Sequence, residues 1–265
     1  MNIDDNELTV IKKKIITLCE KLENVDDTVF GQPANEGLLK QWELNNCTII
    51  IPEIYKKWLL ITGYSYICGG ILELFMPSLN GYYGQLVPEN YVVIGNIIGD
   101  GERVCFEKNT GKFIRYDHGK IKTLGDFSDL LYWTIEYLEL ILNVATEKVF
   151  YVNKEDLLRR KAIQEFWVHE RELLSNGQCT HQWNFYEIEC IYNISTVTGN
   201  KRNYAGKPIE YDLKGNKIVD ENGTPIRYEG HCMMSCDEYP EYIGNWKNIQ
   251  ALTPKEHMLG AHRSI

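Results

Sequence analysis

Apolar positions at Leu8, Ile11, Ile15, Ile16, Cys19 and Leu22 recur at helical spacing and predict an amphipathic helix over 6–23. Residues 36–45 suit a second helix. Pro52 and Glu53 then open IPEIYKKWLLITGY, since proline fits a first helical turn and an acid fits its positive end. Tyr55, Trp58, Leu59 and Ile61 give that helix an apolar face, with Gly63 as its expected stop. Short β-like runs follow at 71–75, 91–98, 103–107 and 112–117, the last two separated by an Asn-Thr-Gly turn at 109–111. Residues 126–143 read as a helix capped by Asp126 or Ser128.

A second set of elements starts near 149. Residues 154–177 predict one long helix stopped by Gly177, and 185–198 a second. Residues 199–230 are rich in Gly, Asn, Asp and Lys and read as hairpins or loops, and 253–261 as a short helix. Helices, then an antiparallel meander, then more helices make the fold class α+β. The expected division is a domain over 1–148 and another over 149–265, within the usual domain size for 265 residues.

Charge separates the halves. Residues 1–148 hold 14 Lys+Arg against 21 Asp+Glu, net −7; the remainder holds 14 against 16, net −2. A basic nucleic-acid coat is excluded, so any nucleic-acid contact must be local, supplied by Lys201, Arg202, Lys207, Lys214, Lys217 and Lys247. No run is apolar enough to span a membrane, and MNIDDNELTVIKKKI lacks the basic-then-apolar order of a secretory leader. Eight cysteines without a CxxC pair predict free thiols in a reducing, cytoplasmic setting.

Pro52-Glu53 with Tyr55 and Leu59, Gly63 after that helix, Gly-Asp-Gly at 99–101 and Thr110-Gly111 carry a resemblance to the SUKH (Smi/Knr-like) superfamily of bacterial immunity proteins, over residues 30–140. The resemblance implies an α+β scaffold that binds a toxin protein and catalyses nothing. On the residues alone, Asp100, Glu102 and Asp117 read as a solvated acidic face or an acidic binding patch, and His118 as a turn residue.

The stretch from 228 onward, YEGHCMMSCDEYPEYIGNWKNIQALTPKEHMLGAH, gathers His231, His257 and His262 around Asn248. With Trp167, Glu170-Arg171, Gly177, Thr180 and Trp183 upstream, it resembles the GHH-type HNH nucleases of polymorphic toxin systems over 160–265. The resemblance implies a ββα-metal fold in which His231, His257 and His262 ligate a divalent ion (zinc, magnesium or nickel), and Asn248 positions the loop and the base. It places the general base at Cys232, where the family has histidine. A thiol titrating near 8.5 is a poor base for water. His257 and His262 stand five positions apart, about 140° around a continuous helix, so sharing one ion requires the helix to end near Gly260. Cys232 and Cys236, four apart, also suit one helical face.

The expectation is a toxin–immunity component, a toxin-binding module fused to a nuclease-like domain impaired at its base position. The alternative is an active metal-dependent endonuclease cutting DNA or RNA.

Overall fold

The computed structural model describes residues 4–22, 28–46, 49–79, 87–117, 119–142, 151–192, 207–212, 214–220, 223–236 and 238–257. It divides into two units, one of residues Met1–Ile97 and Glu102–Asn153, the other of Ile98–Gly101 and Lys154–Ile265. Each is of mixed α+β character.

In the first unit, α1 (Asp5–Lys21) starts where the Asp4 carboxylate accepts the Glu7 amide at 2.8 Å. That bond satisfies one of the amides a helix start leaves unpaired. Leu8, Ile11, Ile15, Leu18 and Cys19 form its buried stripe. α2 (Glu36–Asn45) is capped in the same way by Asn35. α3 (Glu53–Ile61) begins just after Pro52, which takes the N-cap position without a side-chain bond. Gly63 does not cap α3; Thr62 does. The glycine is needed because a Cβ there would sit 2.7 Å from the Gln32 carbonyl oxygen, whose partner is the Gly63 amide.

Seven strands pair in sequence order as one antiparallel sheet, the first lying before α2 and the rest after α3: β1 (Val29–Phe30), β2 (Ser65–Ile67), β3 (Leu72–Ser78), β4 (Tyr91–Ile97), β5 (Glu102–Glu107), β6 (Phe113–Asp117) and β7 (Lys120–Thr123). The expected 91–98 strand ends at Ile97, because Ile98 adopts φ +63 and begins a turn. α4 (Phe127–Ile141) starts at a reciprocal capping box of Asp126 and Asp129, so Asp126 is the cap and Ser128 is buried within the helix. Tyr55, Trp58, Phe113 and Phe127 meet edge to face or tilted, with centroids 5.0–6.1 Å apart, and tie α3 and α4 to the sheet.

In the second unit, α5 (Lys154–Ser175) ends in a turn where Gly177 takes φ +72 and the Gln178 amide returns to the Leu173 carbonyl. α6 (Phe185–Tyr192) starts at reciprocal Asn184–Glu187 bonds. The rest of the expected 185–198 helix lies outside the described residues. Residues 207–212, 214–220 and 223–228 pair through isolated bridges at Ile209–Arg227, Tyr211–Lys217 and Val219–Pro225. β8 (Glu229–Cys232) and β9 (Ile249–Leu252) then form an antiparallel hairpin. α7 (Pro254–Glu256) follows on a Thr253–Glu256 capping box. A Cβ on Gly230 would lie 3.0 Å from Ile163, so glycine lets β8 approach α5.

Among the described residues no helix is long and apolar enough to cross a membrane. The described cysteines, Cys19, Cys68, Cys105, Cys179, Cys190, Cys232 and Cys236, are free thiols, with Cys179 exposed.

Candidate functional site

Strand alternation puts Glu229 and His231 on the same side of β8. The capping box at Thr253 starts α7 so that His257 follows directly upon it. The two imidazoles lie with centroids 4.4 Å apart, and both are buried. The Nδ1 of His257 is 2.6 Å from the Glu229 Oε2. A carboxylate on one ring nitrogen fixes the orientation of the ring and directs Nε2 toward any ligand. Glu256, matched with His257 in the sequence, turns back to the Thr253 amide at 2.8 Å and serves the helix start.

Asn248 is buried at the foot of β9. Its Oδ1 accepts the Met234 amide at 2.8 Å and its Nδ2 donates to the Met234 carbonyl at 3.0 Å. The Met233 amide donates to the Asn248 carbonyl at 2.8 Å. One asparagine thus ties down the loop that leaves β8.

Cys232 ends β8 and Cys236 lies in that loop, not one turn along a helix, and their sulfurs are 3.2 Å apart. The hydrogen bond with Cys236, with burial and the Asp100 charge behind it, pushes the Cys232 thiol far up. The same bond, helped by the Arg159 charge, lowers Cys236.

The turn Ile98–Gly101 is part of this unit. Arg160 Nη1 donates to the Ile98 carbonyl at 3.0 Å, the Gly230 amide donates to the Gly99 carbonyl at 3.1 Å, and Asp100 pairs with Arg159. Gly101, at φ +98, lies against the His257 ring. The acidic-face reading is therefore corrected for Asp100 and Glu102, while Asp117 is half-buried. Asp100 is buried against Arg159. Glu102, in the first unit, is buried in a two-pronged pair with Arg115 at 2.5 and 2.9 Å. A buried carboxylate must meet a cation or donors, and each of these does.

His231, Cys232, Asn248 and His257 thus fall on one hairpin, its loop and the helix start. His262, His118, Lys201 and Arg202 lie outside the described residues. Among the described residues no three or more His, Cys, Asp or Glu side chains form a metal-holding group. Glu229 was missed in the sequence, although its position two residues before His231 on a strand was the available signal. Glu170 has a different task. Fully buried, it accepts the Thr180 amide at 2.9 Å, the Thr180 hydroxyl at 2.7 Å and the Trp183 Nε1 at 2.5 Å. His169 packs on Trp246, and His181 on Trp183, both as ring contacts.

No family model matches the chain, and no curated protein or solved structure matches it either.

Proposed function

We propose that the protein is a component of a bacterial toxin–immunity system. Its first unit is a SUKH-like module that binds a toxin protein through residues 30–140 in the cytoplasm. Its second unit is an HNH-like nuclease domain disarmed at its base position. The observation that carries the reading is the β8–β9 hairpin followed by α7, which draws the His231 and His257 rings to 4.4 Å while Asn248 braces the intervening loop. The net −7 of residues 1–148 supports a basic partner, because opposite potentials speed encounter.

Two buried imidazoles are a donor set that fits zinc or nickel better than magnesium, which prefers oxygen ligands. His231 and His257, with His262 as the expected third ligand, would hold the ion, and the ion would supply Lewis-acid stabilisation of a phosphodiester oxygen. Glu229 holds the His257 ring by its Nδ1. Asn248 fixes the loop after Cys232. Cys232 stands where a general base would take a proton from water, but its raised thiol stays protonated at neutral pH. The retained His231, Asn248 and His257 favour the second reading, an active endonuclease on DNA or RNA.

The test is a plasmid and RNA cleavage assay on the full chain with zinc, nickel, magnesium or manganese, beside Cys232→His. On the proposed reading the unsubstituted chain does not cut, Cys232→His cuts, and adding His257→Ala silences it. Cutting by the unsubstituted chain that is lost on His257→Ala establishes the active-enzyme reading instead. No cutting by either chain removes the nuclease assignment.

A further inference from the structure

The sulfurs of Cys232 and Cys236 approach to 3.2 Å, against about 2.05 Å in a disulfide. Backbone restraints produce this approach. Cys232 is held by β8 pairing with Ile249, and the intervening loop is held at Met233 and Met234 by Asn248. Beyond the loop, the Tyr239 amide donates to the Ser235 carbonyl at 2.9 Å. Only about 1 Å of closure separates the two thiols from a covalent bond, and both are half-buried rather than sealed in the core.

We propose that Cys232 and Cys236 form a reversible redox modification site, closed by exchange with a low-molecular-weight disulfide such as glutathione disulfide. The Cys236 thiolate attacks one sulfur of the oxidant, and the first glutathione leaves as thiolate. The Cys232 sulfur gives its proton to solvent and attacks Cys236 in the mixed disulfide, expelling the second glutathione. Two protein thiols are oxidised and one disulfide is reduced to two thiols. The product removes the thiol next to His231 and locks the loop that Asn248 braces. The site rests on the geometry of the two thiols and stands whether or not the second unit is nuclease-like.

The test uses the reduced full chain with EDTA present, equilibrated in glutathione buffers of graded ratio at fixed pH. The samples are acid-quenched, alkylated with N-ethylmaleimide and digested with trypsin. Cleavage after Arg227 and Lys247 releases both cysteines in one fragment. The expected fragment is unalkylated and lighter by about 2 Da in oxidising buffers, and it gains two adducts after dithiothreitol. Exposed Cys179 serves as the internal comparison and takes no more than a glutathione adduct. Cys232→Ser is expected to trap Cys236 as the glutathione mixed disulfide. Alkylation of both thiols at every ratio overturns the proposal. So does a glutathione adduct that persists on Cys236 in the unsubstituted chain, or a cross-link of either thiol to Cys179.

Discussion

Replacing Gly101 by alanine tests the packing of the second unit's site. The residue has φ +98, a region L side chains disfavour by about 1–2 kcal/mol. A Cβ there would lie 2.7 Å from the His257 Nδ1 and 3.0 Å from the Glu229 Oε2, and closer still to the ring's Cε1. The ring is also held by its 2.6 Å contact with Glu229, so an overpacking cost of about 1–3 kcal/mol is added. Alanine's lower entropy in the unfolded chain returns about 0.4–1 kcal/mol. The net cost is about 1–4.6 kcal/mol. Gly177, in the same unit, is the comparison. Its φ is +72, but a Cβ meets nothing within 4 Å, so Gly177→Ala carries the backbone cost alone, about 1 kcal/mol. Two units need not unfold together, so a single melting curve is a poor readout. Native-state hydrogen exchange of peptides from β8 and β9 reports on the unit concerned. Exchange there is expected to run about 5- to 150-fold faster in Gly101→Ala than in Gly177→Ala, at tenfold per 1.4 kcal/mol. Equal exchange in the two variants would refute the placement of the His257 ring against this turn.

Glu170→Ala leaves two Thr180 donors and the Trp183 indole without their carboxylate, and is expected to cost about 3–5 kcal/mol, read from native-state hydrogen exchange of α5 peptides. Glu102→Leu strands the buried Arg115 guanidinium and is expected to cost about 3–5 kcal/mol. The double variant Glu102→Leu/Arg115→Met should recover most of that loss in a double-mutant cycle, and full additivity would show that the pair is not coupled. The hydrogen bond with Cys232 lowers the Cys236 thiol, so that bond should help set the pH at which iodoacetamide reaches half its maximal rate on Cys236. Cys232→Ala should move that midpoint upward, and an unmoved midpoint would separate the two thiols.

The long helices were legible because their signals are local. Asp4, Asn35 and Asp126 each stand just before an apolar stripe, and each bonds to the helix it precedes. The hairpin of β5 and β6 was legible for the same reason, with its turn residues between two β-branched and aromatic runs. β1, β2 and β7 were not. Two to four residues are too few to display alternation, and β2 is buried at every position. Their pairing is decided by the neighbouring strands, which a local pattern does not contain.

The candidate site divides along the same line. His231, Asn248 and His257 were singled out through the resemblance, and the structure brings them onto one hairpin, its loop and the helix start. What those side chains do depends on partners that sequence distance hides. Glu229 reads as an ordinary strand acid until His257 is set beside it. The Gly-Asp-Gly turn reads as part of the first module, since β4 and β5 flank it. Yet the Ile98 carbonyl before it, the Gly99 carbonyl and the Asp100 carboxylate are taken by Arg160, Gly230 and Arg159, all more than 50 positions later. The helical spacing of Cys232 and Cys236 suggested one face of a helix, whereas a strand end and a loop bring the same two sulfurs together. That difference changes the chemistry of position 232. On an exposed helical face the thiol would titrate near its ordinary value and remain a weak base. Paired with Cys236 and buried, it holds its proton at neutral pH, and the pair's chemistry shifts from taking a proton to forming a sulfur–sulfur bond.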